Sequence, residues 1–445
     1  MPDPARADRF EFLAPAFDPA TATVSLPYRL DAAEPLVETL RFPGARWPQQ
    51  QAAQQAAEQA LQLLHLLAGV SYYKAALPPL IDTGPHQLHA GLARFMEQVW
   101  ADGLAEFAFC NQLDLRDRIH FPVSASQQAP VPNAPALALP PRALVAMGGG
   151  KDSLVSLEGL RAADIALQPV TVGRSSLIAD TVAAAGLPLL RIERNLAPGL
   201  LAMNRAGAWN GHVPVTAINS AILTLAAVLY GYRWVVFSNE RSSEEATRTT
   251  ADGQPVNHQY SKTLAFEQAF ADRVRAQVAP DLQVFSTLRR LREPEVTRRF
   301  AALTQYHAVF SSCNRNFHRE GSRIDGRWCG DCPKCRFTTL ALAPWLPRAQ
   351  VVAILGADLL DEPEQEAGFR ALCELQADKP FECVGTVQEC RALLSALRDH
   401  EDWRDAGLVQ KLAPLVPAPT PTLESLLVPG GPHAIPEEIL RRADF

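Results

Sequence analysis

Several things are missing from this sequence, and each absence narrows what the chain can be. Residues 1–8 contain no basic region leading into an apolar run, which predicts no secretory signal and a cytoplasmic protein. No membrane span is expected either. The longest uncharged stretch, 206–232, is interrupted by Trp209-Asn-Gly-His-Val-Pro, and its clean apolar part, Ala217–Tyr230, is too short to cross a bilayer. A buried helix is the expected reading of that segment. There is no basic stripe, and the net charge is −6, so binding to a nucleic acid backbone is not expected. Cysteine is sparse, with eight residues in 445, yet three of them fall at Cys329, Cys332 and Cys335. In a cytosolic chain that clustering points to a metal rather than to disulfides.

What remains is an ordinary globular composition, 47% hydrophobic and 20% charged, long enough for two or three domains. The stretch that organises it runs from Ala143 to Glu158. An apolar run leads into Gly148-Gly149-Gly150, then Lys151, Asp152 and Ser153, then helical spacing. This reads as strand, tight loop, helix. Glycines let backbone N–H groups approach an anion closely, and the helix adds the positive end of its dipole. Triple glycine can also be simple turn chemistry. The cation, carboxylate and hydroxyl that follow favour a phosphate site.

Along the chain, residues 1–141 read as an α+β region. Short β-like runs are followed by a Gln/Ala-rich helix from Pro48 to Leu67, bounded by Gly69, and a second helical region covers 87–109. Between them, Ser71-Tyr-Tyr-Lys74 could line a pocket or form a half-buried connection. A Pro/Ala/Ser/Gln-rich linker spans 123–141. From residue 142 to about 345 strands alternate with helices: 165–172, 187–192 and 234–237 as strands, 214–230 as a buried helix. This predicts a doubly wound parallel sheet with its site at the strands' carboxyl ends. Gly148–Ser153 lies at such an end, and so does Ser238-Asn239-Glu240-Arg241.

The polar run 242–262 has the length of a functional lid or binding loop, or of a solvated loop. It ends Asn257-His258-Gln259-Tyr260-Ser261-Lys262, with Ser261 a candidate cap. The following helix carries Phe266, Phe270, Val274 and Val278 on one face. An anionic ligand would be favoured at its N-terminus. Residues 346–445 read as a helical, structural region. It holds a capping-box pattern at Thr386–Glu389 and a proline-rich spacer from Val416, and no motif there indicates chemistry.

Cys329-x-x-Cys332-x-x-Cys335, with Cys313 sixteen positions upstream, can supply four thiolates to a structural zinc ion. An iron–sulfur cluster is the rival, because it uses the same three-cysteine spacing.

Gly148-Gly-Gly-Lys-Asp-Ser153 resembles the PP-loop signature of the N-type ATP pyrophosphatases, with Gly148 where the family has serine. A PP-loop followed by such a cysteine cluster is similar to 7-cyano-7-deazaguanine synthase and its relatives. Together with Ser238-Asn-Glu-Arg-Ser242, Asn257-His-Gln-Tyr-Ser-Lys262 and the Cys329–Cys335 motif, the chain resembles the MurL family over most of its length. That resemblance implies ATP- and Mg2+-dependent inversion of the terminal L-glutamate of UDP-MurNAc-L-Ala-L-Glu, with release of AMP and diphosphate. It implies that Gly148, Gly149, Gly150, Lys151, Asp152 and Ser153 hold ATP, with Asp152 on Mg2+. Asn239, Glu240, Arg241, Asn257, His258 and Gln259 become candidate substrate contacts. His258, Tyr260 and Lys262, with Lys151 and Asp152, become candidate catalytic groups.

Two other readings compete. One is another PP-loop enzyme that adenylates a carboxylate or nucleobase for amidation, nitrile formation or thiolation. Sulfur transfer would want a reactive cysteine near the nucleotide, whereas the clustered cysteines look committed to metal. The other is a zinc-ribbon nucleic-acid-binding module, against which the acidity of the chain argues.

Overall fold

The computed structural model describes residues 7–115, 117–124, 134–250, 253–317, 324–375 and 378–445. The extreme N-terminus read above and the middle of the 123–141 linker lie outside these residues. β1 (Arg9–Phe12), β2 (Ala16–Asp18), β3 (Thr23–Leu30), β4 (Leu36–Arg41) and β5 (Leu80–Asp82) come from the N-terminal region. β3 alternates half-buried and buried positions along all eight residues, the period-two signature of a strand with one face on a core. Then follow β6 (Ala143–Ala146), β7 (Leu167–Val172), β8 (Leu190–Asn195) and β9 (Trp234–Phe237). β10 (Arg248–Thr249) and β11 (Pro255–Val256) form a small hairpin, and β12 (Gln283–Ser286) comes last.

Ten of these strands make one mixed sheet in the order β12-β9-β6-β7-β8-β4-β3-β1-β5, with β2 on β3. β12, β9, β6, β7 and β8 are parallel, whereas β4 joins β8 antiparallel through Thr39–Asn195, Leu40–Arg194 and Arg41–Glu193. The sheet therefore crosses residue 141 without a break. At the seam, Arg194 Nε and Nη2 donate to the two Glu38 carboxylate oxygens at 2.6 and 3.2 Å, and both side chains are buried.

Both faces of the parallel half are covered, as an α/β fold requires. Ala143, Val145, Trp234 and Val236 point into a core shared with the helix Lys151–Ala162, the helix Pro333–Leu342 and the C-terminal helices. Leu144 and Val235 point into the other core, against the helices Gln51–Ala68 and Val215–Tyr230. The apolar stretch ending at Tyr230 is indeed a buried helix, stopped by Gly231 at φ 73°. No helix among the described residues is long and apolar enough to cross a membrane.

Four local expectations need correction. The Gln/Ala-rich helix begins at Gln51 and not at Pro48, though it ends, as expected, at Gly69. The φ of Gly69 is −55°, the chain continues into the turn Val70–Tyr73, and the missing side chain makes room for Phe12, whose ring a Cβ would meet at 2.8 Å. The Tyr72-Tyr73-Lys74 cluster is not half-buried: all three residues are buried, with Tyr72 stacked on Tyr28 at 4.6 Å. Residues 242–262 are not a structureless lid. A 3-10 turn at Arg241–Glu244, the β10–β11 hairpin and a second turn at Tyr260–Lys262 organise them. Finally, the helix Leu264–Arg273 is capped by Thr263, not Ser261, and Glu244 accepts from Leu264 N at 2.6 Å. That helix N-terminus is thus already satisfied and is not an open anion site. Its apolar face forms as expected, with Phe266, Phe270, Val274 and Val278 all buried.

Candidate active site

A cavity of 330 Å3 opens at the carboxyl ends of β6 and β9, within the size range of ligand pockets. Its floor is the triglycine loop. Gly149 takes φ 80°, a conformation that favours glycine, and Gly148 has open space where a side chain would stand. No side chain caps the Lys151–Ala162 helix, so its first-turn N–H groups remain available to an anion. Ser153 Oγ donates to Gly150 O at 3.2 Å and ties the loop to the helix.

Beside the loop stands a charged group. Lys151 is buried, with its ammonium 2.6 Å from Asp152 Oδ1 and hydrogen-bonded to Glu293. Oxygens of Asp152, Glu240 and Glu293 lie within 4.8 Å of one another. Burial, with Asp152 close by, raises both Glu240 and Glu293 above the usual carboxylate range. Three carboxylates facing one ammonium suit an additional cation. Sequence reasoning placed Asp152 and Glu240 but missed Glu293, which arrives from the helix Glu293–Ala301 and carries no local motif.

Ser238 and Asn239 also line the cavity, and the buried Ser238 hydroxyl has no hydrogen-bond partner. Arg241 does not reach it. Its guanidinium packs beside Gly431, where a Cβ would meet Nε at 3.4 Å. Asn257 holds its own turn, accepting from Gln259 N at 2.7 Å and donating to Ser243 O at 3.3 Å. Tyr260 packs edge-on against Phe266 and is likewise absent from the lining.

Lys262 does line the cavity, with Gln259 Oε1 3.3 Å from its ammonium and Cys383 Sγ at 3.2 Å. Burial opposes the Lys262 charge, but Cys383 and Glu240 outweigh it and raise its proton affinity. His258 Nδ1 bonds Glu106, and the Cys383 thiol is close enough to act on its charge. Although burial alone would lower it, these two partners push His258 up to about 9. Cys383 and Glu106 were not anticipated. Cys383 comes from the C-terminal region read as purely structural, where Glu389 of the capping box also accepts from Ser242 Oγ at 2.5 Å.

The far wall is built on the cysteine cluster. Sγ atoms of Cys313, Cys329, Cys332 and Cys335 all lie within 4.8 Å of one another, with pairs at 3.5, 3.7 and 4.0 Å. Tetrahedral ligands at a zinc–sulfur distance of about 2.3 Å would stand about 3.8 Å apart. The four thiols thus have the spacing of a single-ion site, whereas a cluster spreads its thiolates over separate iron atoms. From this wall Ser312, Asn314 and Lys334 face the cavity.

Comparison with known proteins adds an independent line. The family model for the MurL N-terminal domain matches residues 1–287, and that for the MurL C-terminal domain matches residues 309–426. The chain is 48% identical over 437 residues to the UDP-N-acetyl-alpha-D-muramoyl-L-alanyl-L-glutamate epimerase of Xanthomonas oryzae pv. oryzae, covering 97% of this chain and 96% of the relative. It is 39% identical over 447 residues to the protein of the same name from a Micromonospora species, covering 97% and 96%.

Proposed function

The chain belongs to the MurL family, and we propose that it inverts the terminal glutamate of UDP-MurNAc-L-Ala-L-Glu from L to D, as a cytoplasmic enzyme of peptidoglycan precursor synthesis. ATP is the activating cosubstrate, and the catalytic half has the PP-loop fold. The observation that carries the reading is the meeting, in one cavity, of an uncapped, glycine-lined helix N-terminus with Lys151, Asp152 and Glu293, with the Glu240 carboxylate beside them.

The chemistry explains why activation is needed. A carboxylate resists loss of its α-proton, because the carbanion would form beside an existing negative charge. Transfer of AMP to the carboxylate removes that charge, with diphosphate as leaving group. The backbone of Gly148, Gly149 and Gly150 with Ser153 holds the phosphates, and Lys151 offsets their charge. Asp152, Glu240 and Glu293 would hold Mg2+, which supplies further neutralisation of phosphate charge when bound. Ser238 and Asn239 offer polar contacts to nucleotide or substrate. Lys262, which lines the cavity, and His258 would exchange the protons. The four cysteines would hold a structural zinc ion that fixes the wall carrying Ser312, Asn314 and Lys334.

The test is incubation with ATP, Mg2+ and UDP-MurNAc-L-Ala-L-Glu, followed by chiral analysis of glutamate released by hydrolysis and by assay of AMP. The expected result is D-glutamate with AMP, and loss of both in Asp152→Ala by at least about 100-fold. L-glutamate alone, or AMP formation by Asp152→Ala near the wild-type rate, overturns the reading.

A further inference from the structure

The activation just described leaves one reactive group in the cavity without a task. Cys383 is half-buried, and its loop brings it into the same lining as Gly148 and Asp152. Four of the other cysteines form the metal-type cluster, and Cys373 and Cys390 are buried in the C-terminal core. Cys383 instead stands between two cationic side chains. Lys262 Nζ is 3.2 Å from its sulfur, Lys334 shares the lining, and His258, bonded to Glu106, is among the charges that act on it. Glu106 is itself held from a second direction, with His212 Nδ1 at 3.4 Å. A thiol in contact with an ammonium, with a carboxylate-held imidazole among the charges acting on it, is a setting that activates a cysteine nucleophile.

We propose that Cys383 attacks the acyl carbon of the glutamyl adenylate, so that inversion takes place on a thioester held by the enzyme. The inference rests on the ATP-dependent activation proposed above. In the step, the sulfur lone pair forms the S–C bond, the C–O bond to AMP breaks, and AMP leaves with that electron pair. Water later adds to the thioester carbonyl. The substrate leaves as a carboxylate, and the cysteine sulfur is restored.

Three features favour a nucleophile over a base. Burial works against the Cys383 thiolate, but Lys262, Lys334 and His258 outweigh it and hold the thiol well below its usual range. A thiolate stabilised in this way is a weak base, ill suited to taking a proton from carbon, yet it remains a competent nucleophile. A thioester also keeps the α-proton acidic, since sulfur donates little electron density to the carbonyl, while AMP departs. And once the sulfur is acylated its negative charge is gone. That charge is one of the influences keeping protons on His258 and Lys262. Acylation would thus loosen those protons just when the α-carbon needs proton exchange.

The experiment uses the full chain with ATP, Mg2+ and UDP-MurNAc-L-Ala-L-Glu, quenched in acid during turnover and mapped by mass spectrometry. The expected result is an acyl adduct on Cys383 that hydroxylamine releases as a hydroxamate. Cys383→Ala should still release diphosphate in a first turnover, which also reports that it is folded, while epimerisation falls about 1,000-fold or more. Epimerisation by Cys383→Ala near the wild-type rate overturns the proposal. So does a wild-type enzyme that turns over with no hydroxylamine-sensitive adduct. If the wild type forms D-glutamate without releasing diphosphate, the activation reading fails and the thioester with it; diphosphate release without an adduct overturns the thioester alone.

Discussion

Replacing Glu38 by alanine should cost far more than the loss of an ordinary ion pair, because Glu38 and Arg194 meet inside the protein. Glu38 is fully buried, the Arg194 side chain is 6% exposed, and two hydrogen bonds of 2.6 and 3.2 Å join them where β4 meets β8. A guanidinium cannot escape by losing its proton. Glu38→Ala therefore strands a charge in the core, at a cost of about 3–5 kcal/mol. Removing both charges, in Glu38→Leu with Arg194→Met, should recover most of that loss, since a buried pair contributes little over well-packed apolar groups. Denaturant unfolding of the wild type, Glu38→Ala, Glu38→Leu, Arg194→Met and the double variant, followed by tryptophan fluorescence, measures these costs, the last three giving the coupling. The reasoning is refuted if Glu38→Ala stays within about 1 kcal/mol of wild type, the scale of an exposed pair. It also fails if the double variant is no more stable than Glu38→Ala.

The cysteine cluster should carry one zinc ion per chain by elemental analysis, and Cys332→Ser should lower both the metal content and the melting temperature; protein purified without zinc or with iron would remove that assignment. Acid sensitivity should trace in part to His65 and His86, whose ring nitrogens lie 2.8 Å apart in the N-terminal core. Burial, then the neighbouring His86, lowers His65 to about 3, and burial lowers His86 to about 4. Both values are depressed below that of an unfolded histidine, so the unfolded chain takes up protons first. This stability is complete above about pH 6.5 and drains away as pH falls toward the folded values, at about 1.4 kcal/mol per pH unit for each histidine. His86→Gln should flatten the dependence of the urea midpoint between pH 7 and 5, and an unchanged slope would count against it.

The parts of the site that were legible in the sequence are those encoded by neighbouring residues. Gly148–Ser153 between a strand and a helix, the β9 run Trp234–Phe237 and the Cys329–Cys335 spacing each carry their own pattern, and each stands where that pattern implies. Glu293, Glu106 and Cys383 carry none. Glu293 is one of two acids at the start of a helix, and Cys383 is a single cysteine in an irregular segment. Only the crossing of the chain brings Glu293 and Cys383 to the cavity and Glu106 to His258. The Asn257–Tyr260 motif divides in the same way. His258 and Gln259 join the polar network around Lys262 and Cys383, while Asn257 satisfies backbone groups and Tyr260 packs on Phe266. Local chemistry identifies such residues as polar and special, but the tertiary register decides which of them meet the ligand.

The separations within this cavity also have a consequence for the order of events on the ribosome. Lys151 and Glu293 are 142 residues apart, Lys262 and Cys383 are 121 apart, and Glu106 and His258 are 152 apart. Contacts that distant form late, after long stretches of chain have been ordered. Even the glycine loop depends on later chain, since Ser311 N donates to Gly149 O at 3.1 Å and β6 pairs with β7 and β9. The carboxylate trio and the thiol must await segments translated much later. The cavity would thus close only when the last quarter of the chain, which carries Cys383, folds back onto the half that carries the glycine loop.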